Sequence, residues 1–260
     1  MAVGNNQDVV IAAAQSLSVP GDIAANIERH LTFMKMAAEQ GADFLLFPEL
    51  SLTGYEPTLA HELAIAVDDP ILTPLRDLAR ELNMVTVVGA PLRSSDSDGV
   101  LIAAIVFEGP LEPRAYTKEH LHGGEEKVFS PGLGGAFVNI ASEHIGLAVC
   151  ADFNHVEHGR KAAQAGATLY AASVLISGPG YENDASMLRE HARSNGMTVL
   201  IANHSGVTGG WQSGGRSALW SSLGERVAEL PGADEGLLLA RRTQGDWTAW
   251  SVQIPASLWA

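Results

Sequence analysis

The sequence predicts a mixed α/β fold in which two sheets pack face to face and helices cover their outer surfaces. Three observations predict it. Short, fully apolar strand-length runs alternate with helical stretches long enough to carry parallel crossovers. The middle of the chain instead reads as antiparallel hairpins. There are also more strands than one simple sheet needs, and two stacked sheets would house them.

The first strand is Val9 to Ala14, an apolar run rich in β-branched residues. Asp22 to Glu39 follows with Ile23, Ile27, Leu31 and Met34 three or four apart, the spacing of one helix face. Asp22 is placed to cap its start and Gly41 to end it. Phe44 to Phe47 is the second strand, Ile71 to Leu82 a second helix, and Met84 to Gly89 the next strand. Leu101 to Phe107 and Glu112 to Tyr116 form one antiparallel pair about the Gly109-Pro110 turn, and Ala136 to Ile140 with Ile145 to Val149 another. Helices are expected over His155 to Ala165 and Tyr181 to Arg193, each followed by a strand, Leu169 to Ala172 and Thr198 to Ala202. Three short strands close the chain near Arg216 to Trp220, Gly236 to Ala240 and Thr248 to Val252.

A chain of 260 residues with 46% hydrophobic residues builds a sizeable core. No stretch reads as a linker, so one domain over 1–260 is expected. No apolar run approaches a membrane span, and the N-terminal residues lack a secretory pattern. One cysteine forms no internal disulfide, which fits a cytoplasmic protein. The net charge is −14, from 16 basic and 30 acidic residues. That balance, with no basic patch interleaved with aromatics, argues against a nucleic-acid partner.

Three strand ends run abruptly into a polar residue: Glu49, Cys150 and Asn203. In α/β folds, sites gather at the carboxyl ends of strands. Taken alone, Cys150 after IGLAV reads as a small buried hydrophobe, and Glu49 after FLLFP as the first solvated residue. Together they offer a thiol and a base. Lys118, in YTKEHLHGGEEKVF, adds a cation that can stabilise charge developing on a carbonyl oxygen. Lys35, Lys127 and Lys161 sit in surface-like contexts. His155 and His158 share a helix face, but no third ligand stands near them, so no metal is expected. A dinucleotide loop and a GxSxG elbow are both absent from the sequence.

Three segments now stand in order: FPELSLTGY with Glu49, YTKEHLHGGEEKVFSPG with Lys118, and GLAVCADFNHVE with Cys150. By these the chain resembles the carbon–nitrogen hydrolase, or nitrilase, superfamily. AAAQ near the start, ANHSG at 202–206 and GRSALWSSLGE at 215–225 support the resemblance over most of the chain.

The resemblance implies a four-layer α-β-β-α sandwich, a homodimer or higher homo-oligomer, and no metal or organic cofactor. It implies Glu49 as base, Cys150 as nucleophile, and Lys118 with the Ala151 N–H as oxyanion support. Glu125, four residues before Phe129, takes a supporting role, with Glu126 as the neighbouring candidate. Asp152 and Asn154 after Cys150 resemble the aliphatic-amidase branch, although Val156 stands where a proline is usual. Asn154 also replaces the arginine common in members that handle acidic substrates. Without a guanidinium there, a substrate carboxylate loses a bidentate partner, unless Arg160, Arg193 or Arg216 approaches from elsewhere. Tyr55, His122, Phe153, Asn154, Leu175, Tyr181 and Trp211 are the candidate pocket residues.

The expected function is hydrolysis of a small neutral carboxamide to acid and ammonia through a Cys150 thioester. A nitrile or an N-carbamoyl amine is the alternative substrate, and a non-catalytic scaffold on the same fold is a remote one.

Overall fold

The structure, a computed structural model, describes residues 8–95, 98–135 and 137–259. Two sheets form the centre. The first has seven strands in the order β15-β14-β1-β2-β3-β4-β5. These are β1 (Val9–Gln15), β2 (Phe44–Leu46), β3 (Val85–Arg93), β4 (Val100–Phe107), β5 (Arg114–Thr117), β14 (Gly236–Thr243) and β15 (Asp246–Gln253). The second has six, β13-β12-β9-β8-β7-β6. These are β6 (Val138–Ile140), β7 (Glu143–Val149), β8 (Leu169–Val174), β9 (Thr198–Asn203), β12 (Ala218–Trp220) and β13 (Arg226–Glu229). A two-stranded ribbon pairs β10 (Val207–Thr208) with β11 (Trp211–Gln212).

Alternation along the strands builds the layers. Val9, Ile11 and Ala13 of β1 face the inter-sheet core, where they join Ile145, Leu147 and Val149 of β7. Val10, Ala12 and Ala14 face the other way, onto α1 (Ile23–Glu39) and α3 (Thr73–Glu81), through Ile27, Phe33, Met34, Leu75 and Ala79. In the second sheet Tyr170, Ala172 and Val174 of β8 face α4 (Val156–Gln164) and α5 (Tyr181–Asn195), while Leu169 and Ala171 face the core. A period of two with both faces apolar is what a sheet buried on both sides requires. The four layers are therefore helix, sheet, sheet, helix. A short helix, α2 (Ala60–Leu63), lies between β2 and α3.

Parallel pairing is confined to the centre of each sheet: β1–β2–β3 in one, β7–β8–β9 in the other. The carboxyl ends of these parallel strands deliver Glu49 and Cys150, and the end of antiparallel β5 delivers Lys118. Ser173 Oγ of β8 donates to the Phe47 carbonyl at 2.7 Å, tying the second sheet to the segment just before Glu49.

Several element boundaries differ from expectation for clear reasons. The helix expected from Ile71 begins at Thr73, behind a 3-10 turn at Pro70–Leu72. Pro74 has no N–H to donate and is tolerated only in a first turn. The strand expected from Glu112 starts at Arg114, after Pro113. The strand expected from Ala136 starts at Val138, and Ala136 itself lies outside the described residues. The segment about Trp211 is a tight hairpin. Gly209 and Gly210 at its tip both have positive φ, 55° and 77°, as the tightest hairpin turns demand. Strand β13 was not expected, because Arg226 and Glu229 hide a pattern of four residues on a sheet edge.

Among the described residues no helix is long and apolar enough to cross a membrane.

Candidate active site

The segment carrying Glu49 leaves β2 through Pro48 and turns sharply. Leu50, next in sequence, has φ 51°. Three contacts set this turn. His204 Nε2 lies 2.6 Å from the Glu49 carbonyl oxygen. Burial lowers the His204 pKa to about 4, against the pull of that carbonyl, so the ring is neutral and donates from Nε2. His30 is likewise neutral, its pKa lowered to about 3, chiefly by burial. Its Nδ1–H donates to the Asn26 carbonyl at 2.6 Å, and its Nε2 accepts from Ser51 Oγ at 2.9 Å. Ser51 Oγ accepts in turn from the Gly89 N–H at 3.0 Å.

Gly89 has no room for a side chain. A Cβ there would stand 2.3 Å from Leu50 N and 2.4 Å from the Pro48 oxygen, both backbone atoms. Gly89→Ala therefore pushes the Glu49 turn away from β3. We expect a loss of about 2 kcal/mol in urea unfolding, together with reduced turnover because the carboxyl is displaced.

Cys150 ends β7 and opens a 3-10 turn, Cys150–Asn154. Its own φ is 42°, a left-handed backbone that costs a non-glycine residue energy and is found at functional turns. Asp152, fully buried, braces the turn. Its Oδ2 accepts from Val149 N at 3.0 Å and from the Tyr116 hydroxyl at 2.7 Å. Its Oδ1 accepts from Glu119 N at 3.0 Å and His120 N at 2.9 Å. One carboxylate thus joins the Cys150 turn to the chain just after Lys118.

Lys118, Glu49 and Glu125 meet out of solvent. Lys118 Nζ is 2.7 Å from Glu49 Oε1 and 2.9 Å from the Glu125 carboxylate. Glu125 also accepts from the Tyr55 hydroxyl and from His122 N, both at 2.7 Å. Glu126, the neighbouring candidate, is exposed and accepts from the Gly124 N–H at 2.6 Å, away from Lys118. The second Glu49 oxygen, Oε2, is buried without a conventional hydrogen bond, and the Cys150 thiol approaches this carboxyl. Sγ faces the Leu175 carbonyl oxygen at 3.8 Å. The Leu175 loop is held by Asn203, which accepts from Ile176 N at 2.9 Å and donates to the Ile176 carbonyl at 3.0 Å.

Burial sets the electrostatics. It raises Glu49 to a pKa of about 7, with Glu125 pushing the same way and Lys118 opposing. Burial pulls Lys118 down, but Glu49, Cys150 and Glu125 outweigh it and hold the ammonium above an ordinary lysine. Burial and Glu49 push the Cys150 thiol well up, against Lys118 and the Leu175 carbonyl. The resting thiol is therefore neutral, beside a carboxyl that titrates near neutrality.

A cavity of about 260 Å³ opens onto Cys150 and Glu49. Tyr55, His122, Phe153, Asn154, Leu175 and Trp211 all line it. Tyr181 does not. Its hydroxyl lies 2.6 Å from the Arg216 carbonyl oxygen and 2.9 Å from Glu229 Oε2, its one proton shared between these acceptors, and the Arg216 guanidinium stacks on its ring at 3.9 Å. The first residue of α5 turns its side chain back onto the sheet edge and away from the cavity. Ser177, Gly180 and Asp184 also line the cavity; Asp184 was not expected to, because in sequence it reads as an ordinary acid in a helix first turn. None of the three candidate arginines reaches the cavity: Arg160 pairs with Glu157, Arg193 with Glu190, and Arg216 with Glu182 and Glu229.

The His155–His158 pair also has other partners. His155 packs on His120 with ring centroids 3.7 Å apart and the planes tilted by 37°, and His158 bonds to Tyr116 and Tyr170. Among the described residues no group of three or more metal-ligating side chains is placed to hold an ion.

The sequence profile of the carbon–nitrogen hydrolase family matches residues 10–252. The chain belongs to that family. This carbon–nitrogen hydrolase is 29% identical over 244 residues to a protein described as a hydrolase in the pqqF 5' region of Pseudomonas protegens, an alignment spanning 92% of this chain and 84% of the relative. Among solved structures it is similar to an amidase from Nesterenkonia sp. AN1. A cysteine-to-alanine variant of that amidase with butyramide bound superposes with a TM-score of 0.82, at 29% identity over 92% of both chains. A glutamate-to-glutamine variant, with the acetamide moiety of fluoroacetamide added covalently at its active-site cysteine, gives 0.80 at 29% identity over 91% of this chain and 90% of that one. The carbon–nitrogen hydrolase described here is accordingly an enzyme acting on carbon–nitrogen bonds, with amidases among its relatives.

Proposed function

We propose that this enzyme hydrolyses a small carboxamide to its acid and ammonia, with Cys150 as nucleophile. The observation that carries the reading is the meeting of three strand ends. Glu49, Lys118 and Cys150 come from two sheets to one buried point, with Lys118 and Glu49 2.7 Å apart and the thiol on the cavity wall. The bound butyramide and the covalent acetamide adduct in the Nesterenkonia amidase support it.

The carboxylate form of Glu49 takes the thiol proton, and Sγ attacks the amide carbon. The oxygen gains negative charge. Lys118 Nζ and the Ala151 N–H, in the first turn after the nucleophile where N–H groups lack helical acceptors, stabilise that charge. Collapse expels ammonia, which takes the proton held by Glu49. Water, deprotonated by the same carboxylate, cleaves the thioester. The carboxylic acid leaves, and Cys150 regains its proton. Glu125, fixed by Tyr55 and His122, orients the Lys118 ammonium. The enzyme is further proposed to act as a cytoplasmic homodimer or higher homo-oligomer.

Ammonia release from a panel of amides, nitriles and N-carbamoyl amines, with Cys150→Ala as blank, tests the reading. Amide-dependent release is expected. Faster nitrile turnover reassigns the enzyme as a nitrilase, carbon dioxide released with the ammonia reassigns it to N-carbamoyl compounds, and silence across the panel removes the catalytic reading.

The pH profile has a defined sign. Glu49 must be ionised to accept the thiol proton, and its pKa is raised to about 7. The value of kcat/KM is therefore expected to rise with pH through roughly 7 and then level off. Lys118, held above its ordinary value, adds no descending limb in the neutral range. The limb belongs to the coupled cluster. A profile flat from pH 5 to 9 would contradict the assignment of Glu49 as base.

A further inference from the structure

The cavity has an inner end, at Cys150, and an outer end formed by elements with no part in the chemistry. Two of these are joined. Gly178 N donates to the Gln212 carbonyl at 3.3 Å, and Ser177 bridges Ser213. The loop leading into α5 is thereby laced to the hairpin that carries Trp211. That hairpin is itself clamped from the Glu49 side, with Tyr55 N donating to Thr208 Oγ1 at 2.8 Å and Gly209 N donating to Glu56 Oε1 at 3.0 Å. A Cβ at Gly209 would stand 1.8 Å from the Tyr55 carbonyl oxygen. Trp211 is therefore a fixed wall with half its surface exposed.

Across this junction stands Asp184, one turn into α5 and also on the cavity wall. Its hydrogen-bond partner is a neutral amide, Asn183 Nδ2, at 3.1 Å from Oδ1. No arginine or lysine among the described residues pairs with it. Arg160 of α4, Arg193 of α5 and Arg216 just before β12 are already matched to Glu157, Glu190, Glu182 and Glu229. Burial of the Asp184 carboxyl raises its pKa, Asn183 opposes, and the His122 imidazole across the cavity pulls the same way as Asn183. The start of α5 would by itself favour an anion. Glu182 and Asp184 in its first turn reverse that preference. At the inner end the one cation, Lys118, is already shared between Glu49 and Glu125. The outer end thus brings a carboxylate with no arginine or lysine partner to the same cavity wall as an indole, the side-chain combination that recognises ammonium groups.

We propose that the outer end of the cavity, between Asp184 and Trp211, binds a cationic group on the acyl side of the substrate, so that the preferred substrates are short carboxamides bearing an ammonium. The proposal rests on the amidase reading and names the substrate class of that same site. It replaces the neutral acyl group expected from the sequence and keeps the exclusion of carboxylates.

The test compares γ-aminobutyramide with valeramide, which has a methyl where the first has an ammonium, and with succinamate, which carries a carboxylate. For the wild type, kcat/KM for γ-aminobutyramide should exceed that for valeramide by about tenfold, with succinamate poorest. Asp184→Asn should collapse the cationic-to-neutral ratio towards unity while Asp184→Glu retains much of it. Trp211→Leu should lower the same ratio severalfold. Added salt should shrink it in the wild type, because the site is half-open to solvent. A wild-type ratio at or below unity, a preference for succinamate, or a ratio untouched by Asp184→Asn overturns the proposal while leaving the amidase reading in place. Ammonia from none of the three, nor from any other amide, overturns both.

Discussion

Cys150→Ala is expected to lower amide-dependent ammonia release by roughly four orders of magnitude or more, because the thiol that carries the acyl intermediate beside its base is removed. Stability should change little, within about 1 kcal/mol in urea unfolding. Cys150 is only partly buried, and its thiol makes the long contact to the Leu175 carbonyl and the approach to the Glu49 carboxyl, neither of which holds the fold together. The separation of the two outcomes is the informative part. Loss of turnover with an unchanged unfolding midpoint assigns Cys150 to chemistry. Loss of both would make Cys150 a packing residue at a strained turn. Retained turnover would remove it from the mechanism.

Lys118→Met is expected to damage both properties. The ammonium lies between two carboxylates in a site where all three side chains are sealed from water. Removing it leaves Glu49 and Glu125 buried with no cation between them, a loss of about 3–5 kcal/mol when both are ionised. The cost depends on pH, and its sign follows from linkage. Without Lys118 the carboxyl pair binds a proton more tightly folded than unfolded. Its folded pKa is raised, so the pair is tolerated at low pH and destabilises as pH rises through that folded value. The unfolding midpoint of Lys118→Met should therefore approach the wild type near pH 5 and fall away from it towards pH 8. Turnover should drop by roughly a thousandfold as the oxyanion loses its charged donor. A variant equally stable at both pH values, with near-normal turnover, would show that the ammonium supports neither the carboxylates nor the oxyanion.

The layer architecture was legible because it depends on periodicity. Runs such as Val9 to Ala14 and Ile145 to Val149 carry apolar residues on both faces, and only a sheet covered on both sides accepts them. Strand ends were legible too, since Glu49 and Cys150 interrupt apolar runs abruptly. What brings them together was not. Gly89 looks like any strand glycine until the Leu50 and Pro48 backbone is found within 2.4 Å of where its Cβ would be. Asp152 stood inside a recognised segment, yet its four hydrogen bonds join parts of the chain more than thirty residues apart. The cavity wall was read in part. Aromatic residues near the key segments were found, whereas Asp184 lies on a helix outside those segments, whose approach is laced to the Trp211 hairpin through Gly178 and Gln212. Tyr181 was a candidate pocket residue that ordinary packing explained equally well. Arg216 and Glu229, distant in sequence, offer its hydroxyl and ring a better-matched surface.

The central claim is a covalent acyl intermediate on Cys150. Intact-protein mass spectrometry after rapid acid quench, taken through the first turnovers with γ-aminobutyramide and with valeramide, tests it directly. The account predicts a protein species heavier by the acyl group of the amide used, located at Cys150 by peptide mapping, released by hydroxylamine and missing from Cys150→Ala. Acid and ammonia accumulating with no acylated species at any quench time, or an acyl group mapped to another residue, would contradict it.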